Sequence, residues 1–553
     1  MNDSGPVFRV LSPETLSMHT RDGVRLDADV YRPAGAGPFP VLLMRQPYGR
    51  GIASTVCYAH PSWYARQGYV VIIQDVRGRG TSQGEFRIFQ NEAADGAQAV
   101  AWAASLPGTT GAVGMYGFSY HGTGLLLTAG KNPPALKAIA PGMSGWNLRH
   151  DWAYENDAFC LQLGLAWATQ VGAETARLAG DKAAFADFYT ASRALPFNGA
   201  NPVRPEFIER WRRYTHYHDF LERHDDAAYW SRLSPASVSS NVQVPTLMVG
   251  GWYDILLAGT LSAYKHFAAA NRAPVRLIVG PWSHMPWARR LSGVDFGPDG
   301  ASDIDLLHIE WFDHWLKGLD TPIIHAPPVR LFEMGRNEWR KFASWPVRSV
   351  ALYLTGCGRA SVDDRDGKLV FKSVPDEGVD YVVHDPWRAV PAVGGQFGTP
   401  VGPADRSALD MRGDVMTFTT TALDQEIRLA GDVSASLWLV SQAPSFDVSC
   451  VMSRVTRSGQ AVPLAQGYRH FPAGQRESVP VAIPMRATCA SIAVGEALRL
   501  SIAGACFPAY PINPGTGRPA DAGMAEAAIT TFGVRYGGAT PSSLDISTGE
   551  SVS

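Results

Sequence analysis

Six short runs, apolar or small at almost every position, constrain this chain more than anything else in it. They are Pro40-Val41-Leu42-Leu43-Met44, Tyr69 to Gln74, Ala112 to Tyr116, Leu136 to Pro141, Val244 to Gly250 and Val275 to Gly280. A strand with one wet face alternates polar and apolar side chains. These runs do not alternate, so both faces need cover, as in a parallel sheet layered between helices. The intervening segments supply that cover: Glu92 to Ala104 is helical by composition, and an apolar helical run passes through Leu125, Leu126 and Leu127. Strand and helix alternate from about 40 to 141, which predicts a parallel α/β sheet. Ahead of it, residues 7–50 read as strands, with Arg21-Asp22-Gly23-Val24 as a hairpin turn inside Met18 to Leu26.

The pattern is interrupted once and then replaced. Residues 145–236 are rich in Ala, Trp, Tyr, Arg and His and poor in strand formers. Ala173 to Ala191 and Pro205 to Tyr217 read there as helices, so this block is a helical insertion. From about 349 onward the chain alternates with period two: Val433, Ala435, Leu437 and Leu439 against Ser434, Ser436 and Trp438, and Leu498, Leu500 and Ile502 against Arg499 and Ser501. Such strands, separated by Gly/Pro/Asp turns, predict a β-sandwich or jelly roll. The tail from Thr540 is Ser/Thr-rich and reads as loose. At 553 residues the chain exceeds a single core. The division expected is 1–144 with 237–348 as a discontinuous α/β domain, 145–236 as insertion, and 349–553 as the β domain.

Charge and composition exclude several partners. With 49 basic against 51 acidic residues the net charge is near zero, which argues against a nucleic-acid surface and against a polybasic membrane anchor. Sixteen tryptophans and 39 prolines point to a loop-rich protein with aromatic-lined clefts. The six cysteines are scattered without a C-x-x-C pair, and read as reduced thiols. Met1 to Pro6 lacks a basic segment leading into an apolar run, and no apolar stretch is long enough to span a membrane, so a cytoplasmic protein is expected.

The chemistry concentrates at Gly114-Met115-Tyr116-Gly117-Phe118-Ser119-Tyr120-His121-Gly122. A serine between glycines at a strand-to-helix turn is the nucleophile elbow of α/β-hydrolases, and the Tyr120 N–H at the helix start can face an oxyanion. One feature departs from the usual spacing: His121 stands two residues after the serine, with Gly122 behind it. An acyl-transfer serine needs a base, and the base an orienting carboxylate. Each resumed strand ends in one candidate, Gly251-Trp252-Tyr253-Asp254 and Pro281-Trp282-Ser283-His284. The order Ser119, Asp254, His284 is the α/β-hydrolase order. His121 is expected to point along the new helix, away from chemistry. The Asp75-Val76-Arg77-Gly78-Arg79-Gly80 segment lacks Gly-Lys-Ser/Thr, so it reads as a structural loop and not a phosphate site. His308 and His314, six apart, fall on different helix faces and suggest no shared metal.

Through Arg45-Gln46-Pro47-Tyr48, Gln74-Asp75-Val76-Arg77-Gly78, Gly117-Phe118-Ser119-Tyr120-His121-Gly122, Gly251-Trp252-Tyr253-Asp254 and Gly280-Pro281-Trp282-Ser283-His284, the chain resembles the cocaine esterase-like serine hydrolases. These are relatives of the X-Pro dipeptidyl-peptidases and α-amino acid ester hydrolases. Their elbow also carries its glycine three residues after the serine. The resemblance implies an α/β-hydrolase domain with a helical cap insertion and a C-terminal jelly roll. It implies Ser119 as nucleophile, His284 as base, Asp254 as its orienter, and an oxyanion hole from the Tyr48 hydroxyl and the Tyr120 N–H. It further implies cap tryptophans at Trp152 and Trp167, and pocket residues at Leu256 and Phe397.

The expected substrate is a small-molecule carboxylic ester, with no metal or organic cofactor. An amidase, X-Pro peptidase or acyltransferase using the same triad is the alternative within this chemistry. The α-amino ester branch carries acidic residues near the triad aspartate, whereas Ile255-Leu256-Leu257 follows Asp254 here. Outside it stands a non-catalytic or carbohydrate-binding protein. The sequence leaves the oligomeric state open, a homodimer included.

Overall fold

In the first hairpin, Thr20 N–H donates to the Val24 carbonyl at 2.9 Å and Gly23 takes a φ of 81°, a left-handed turn that glycine adopts freely. The turn joins antiparallel β1 (Glu14–His19) and β2 (Arg25–Tyr31), with Met18 opposite Leu26. The computed structural model describes residues 8–51, 55–473 and 479–552. The N-terminal residues read above for a leader lie outside the described residues. The chain divides into two units. One comprises Met1–Asp151, Asp225–Ala288 and Ala301–Arg330; the other comprises Trp152–His224, Arg289–Gly300 and Leu331–Ser553.

In the first unit all six apolar runs are strands. β3 (Phe39–Gln46), β4 (Val70–Asp75), β5 (Thr109–Phe118), β6 (Leu136–Gly142), β7 (Thr246–Tyr253) and β8 (Val275–Ser283) pair in parallel in the order β4-β3-β5-β6-β7-β8. The hairpin joins this sheet through β2, antiparallel to β4. Every residue of β4 and β7 is buried, as expected of strands covered on both faces. Helices α1 (Pro61–Arg66), α2 (Glu92–Ser105) and α3 (Tyr120–Ala129) follow β3, β4 and β5, and all ten residues of α3 are buried. This is the mixed sheet of an α/β-hydrolase core.

In the Asp75–Gly80 loop the charged side chains of Asp75 and Arg77 are paired within the unit. Arg77 pairs with Asp95 at 2.8 Å and with Asp22 at 2.7 Å. Asp75 accepts from Arg50 Nη1 at 2.6 Å and from Gln46 at 3.1 Å. His308 is buried and His314 half-buried, on the helix Ile304–Lys317.

The second unit corrects four expectations. Ala173 to Ala191 is not one helix: Leu161–Leu178 and Lys182–Arg193 are separated at Gly180, φ 72°, where Asp181 caps the next helix by accepting the Ala184 N–H at 3.0 Å. Pro205 to Tyr217 likewise breaks into Glu206–Arg210, a tight turn at Arg212–Tyr214, and Tyr217–Glu222. The C-terminal tail is not loose. Ser543–Thr548 is a strand between Arg348–Thr355 and Ile427–Ser441, with Leu544 and Ile546 buried.

The remainder of this unit is strand-rich, as a β-sandwich requires. Val433, Ala435, Leu437 and Leu439 are buried along Ile427–Ser441 while the residues between them are half-buried. Ala497–Ala503 does not alternate as expected, because Arg499 and Ser501 are buried too. Their side chains are satisfied by Thr419 (2.9 Å) and by Asp410 (2.9 Å from Ser501). All six cysteines are unpaired. Among the described residues no helix is long and apolar enough to cross a membrane.

Candidate active site

β5 ends at Phe118 and α3 begins at Tyr120, so Ser119 alone makes the turn, with φ 58° and ψ −125°. A non-glycine residue at positive φ persists only where its surroundings enforce it. Here Ser119 N–H lies 3.0 Å from the Gly142 carbonyl and 3.1 Å from that of Met143. The unusual spacing has a steric reason. A Cβ on Gly122 would lie 2.8 Å from the Gly142 carbonyl oxygen, so the close approach of helix to sheet falls at the third residue after the serine.

β7 and β8 are neighbours, with Gly251 opposite Gly280 and Tyr253 opposite Ser283. The residues that follow each strand therefore emerge side by side at the same edge as Ser119. His284 Nε2 lies 3.0 Å from Ser119 Oγ, and His284 Nδ1 lies 2.7 Å from Asp254 Oδ1. Asp254 is fully buried, while the His284 side chain keeps 17% exposure. The Trp287 indole N–H donates to the His284 carbonyl at 3.1 Å. Sequence reasoning passed over Trp287, although its place three residues after the histidine was in view.

Tyr48 is half-buried just past β3, and its N–H donates to Gln46 Oε1 at 2.8 Å. The motifs around it become legible through strand register. Arg45 stands opposite Gln74 and Gln46 opposite Asp75, and both pairs are hydrogen-bonded, at 2.8 and 3.1 Å. Arg45 also pairs with Glu92 at 2.5 Å, and Glu92 accepts the Tyr120 hydroxyl at 3.1 Å. Burial raises the Glu92 carboxyl above its usual range, against the pull of Arg45. His121 is buried, its ring edge-on to Tyr48 (5.9 Å between centroids) and to Phe118 (5.5 Å). It thus lies against the candidate oxyanion donor and not simply along α3. Burial, and then the charge of His284, lower it to about 3, so it is neutral at ordinary pH.

Leu256, two residues past Asp254, is buried in the same unit. The other three pocket candidates lie in the second unit. Trp152 and Trp167 are 3% and 7% exposed with ring centroids 4.8 Å apart, so the structure brings them together. Phe397 is buried beside Tyr510, at 5.7 Å, with the Arg486 guanidinium 5.6 Å from its ring centroid. Among the described residues there is no group of three His, Cys, Asp or Glu that could hold a metal.

Two family models match the chain: the X-Pro dipeptidyl-peptidase (S15 family) over residues 22–286, and the X-Pro dipeptidyl-peptidase C-terminal non-catalytic domain over 324–544. The chain is 32% identical to the cocaine esterase of Rhodococcus sp. (strain MB1 Bresler), over 90% of this chain and 91% of that one. Among solved structures, an α-amino acid ester hydrolase superposes with a TM-score of 0.79 at 20% identity, covering 99% of this chain and 97% of that one. An aminopeptidase from the marine sediment archaeon Thaumarchaeota archaeon gives 0.77 at 22% identity, over 99% and 97%. These two likenesses speak for the fold. The kinship to the Rhodococcus protein, with the matching family models, establishes that the chain belongs to the cocaine esterase-like family of serine hydrolases, and is a serine hydrolase.

Proposed function

We propose that the protein cleaves a carboxylic ester of a small molecule through an acyl-enzyme intermediate. Ser119 attacks the carbonyl carbon while His284 Nε2 takes its proton. Asp254 holds the imidazole by Nδ1 and stabilises the imidazolium that forms. The tetrahedral oxyanion is received by the Tyr120 N–H and the Tyr48 hydroxyl. His284 then protonates the leaving alcohol, and water repeats the sequence to release the acid. Trp152, Trp167, Leu256 and Phe397 shape the acyl pocket. The reading includes the three-part division of the chain given above, the β domain as a jelly roll, and a cytoplasmic location.

The observation that carries this reading is the continuous relay from Ser119 Oγ to His284 (3.0 Å) to Asp254 (2.7 Å). The apolar Ile255-Leu256-Leu257 after Asp254 favours an uncharged acyl group over an α-amino acid. The test is turnover of p-nitrophenyl esters of graded chain length beside aminoacyl-proline amides, in wild type and Ser119→Ala. Loss of a triad serine lowers kcat on the order of 10⁶-fold. Wild-type turnover in the alanine variant would refute the nucleophile, and preferred cleavage of the amides would refute the ester.

A further inference from the structure

Behind Ser119 and His284 lies a knot of buried aromatic and titratable side chains that the mechanism above does not use. At its centre is Tyr58, 5% exposed. Its ring meets Trp287 at 5.3 Å and Phe118 at 6.0 Å, both nearly perpendicular, and His308 at 5.3 Å. Phe118 is the residue before the nucleophile, and its ring lies 5.7 Å from the His284 imidazole. Trp287 holds the backbone of the base through the hydrogen bond to the His284 carbonyl, at 3.1 Å. One phenol ring therefore touches both the neighbour of the nucleophile and the anchor of the base.

The ring is fixed from the far side as well. Asp305 accepts the Ala59 N–H at 2.9 Å and the Tyr64 hydroxyl, which itself lies 3.2 Å from His308 Nδ1. The sheet makes room for this arrangement at Gly142. A Cβ there would come within 3.1 Å of the Trp287 ring and 3.2 Å of the Tyr58 hydroxyl. The Tyr58 hydroxyl has no hydrogen-bond partner among the described residues, so ring contacts hold the phenol in place. A base on a partly exposed loop works only if its rotamer and backbone are held to a fraction of an ångström, and a packed supporting layer is what holds them.

We propose that Tyr58 is a positioning residue that clamps the base loop, through Trp287, against the strand carrying Ser119. The clamp keeps His284 Nε2 within hydrogen-bond reach of Ser119 Oγ. The proposal rests on the assignment of Ser119 and His284 as nucleophile and base.

The experiment follows phosphonylation of Ser119 by a p-nitrophenyl phosphonate, beside turnover of p-nitrophenyl acetate. Tyr58→Leu should lower kcat by roughly 10- to 100-fold, the scale of a misplaced catalytic group, with KM little changed. Phosphonylation should slow by a similar factor yet still reach stoichiometric labelling. Tyr58→Phe, which keeps the ring, should restore most of both rates. Trp287→Phe keeps a ring and loses the N–H, and should show a smaller loss of the same kind. It carries the test alone if Tyr58→Leu fails to fold. Wild-type labelling rates in the Tyr58→Leu and Trp287→Phe proteins would overturn the clamp. So would incomplete labelling with wild-type turnover per labelled site, the mark of a purely structural role. No label on Ser119 in the wild type would overturn the nucleophile itself, and the clamp with it.

Discussion

A Cβ on Gly117 would lie 2.4 Å from the Cβ of His121, and Gly117 has a φ of 153°. The residue two before the serine must be glycine because the residue two after it is not. Gly117→Ala combines overpacking with backbone strain, and should lose about 2–6 kcal/mol of folding stability. His121→Gly removes the clash but gives up its own buried packing, so in a double-mutant cycle the two changes should couple favourably by about 1–3 kcal/mol. Chemical denaturation measures the cycle, and strictly additive losses would show that the clash is not the cause.

Acid should destabilise the protein through its buried histidines. Burial lowers His308 to about 3, and burial with the neighbouring charge of His284 does the same for His121. An unfolded histidine titrates near about 6.5. Below that pH the unfolded chain takes up protons that the folded chain refuses. The stability held by each neutral imidazole is thus complete above about 6.5 and drains away toward about 3, by at most about 1.4 kcal/mol per pH unit. His308→Gln should flatten the fall in urea midpoint between about pH 7 and pH 5 by one histidine's share. An unchanged slope would place His308 elsewhere in the titration.

Tyr48→Phe removes the proposed second oxyanion donor and keeps the ring that packs on His121. It should lower kcat by roughly 10²–10³, about 2.7–4 kcal/mol, because the hydrogen bond strengthens as charge develops on the oxygen. KM should move little. A kcat within about threefold of wild type would remove Tyr48 from the oxyanion hole.

The Arg45–Glu92 pair, with side chains 3% and 4% exposed, braces the elbow from behind. Glu92→Leu leaves a buried guanidinium without its counter-charge and should cost about 3–5 kcal/mol. Arg45→Met with Glu92→Leu should recover most of that, since the desolvation penalty goes with the charges. Equal losses in the single and double variants would mean that Arg45–Gln74 and Glu92–Tyr120 matter more than the ion pair.

Trp152 and Trp167 are buried against one another, so truncation to alanine should cost about 3–5 kcal/mol at either. Phenylalanine keeps most of the ring. In the proposed pocket, Trp152→Phe or Trp167→Phe should reorder rates among acyl chain lengths with the fold intact. An unchanged ranking would leave both as core residues of the helical block.

The parallel sheet, the strand-rich C-terminal part and the positions of Ser119, Asp254 and His284 were legible in the sequence because each depends on local pattern. A wholly apolar run must be buried on both faces, and the residue after such a strand must emerge at the sheet edge. Helix ends inside the insertion were misjudged at Gly180-Asp181, where a stop and a cap sit in adjacent residues amid good helix formers. The tail was misjudged because Ser and Thr suit a loop and a strand equally, and only burial of Leu544 and Ile546 separates the two. The rest could come only from tertiary structure. Arg45 meets Gln74 through parallel register, and Ala59 meets Asp305 across 246 positions of chain. A hydrogen bond or ring contact between distant segments leaves no periodicity in either one. Sequence pattern thus determined which elements form and where the reactive groups stand on them. Packing decided what holds those groups still, because rigidity belongs to contacts and contacts exist only once the chain has folded.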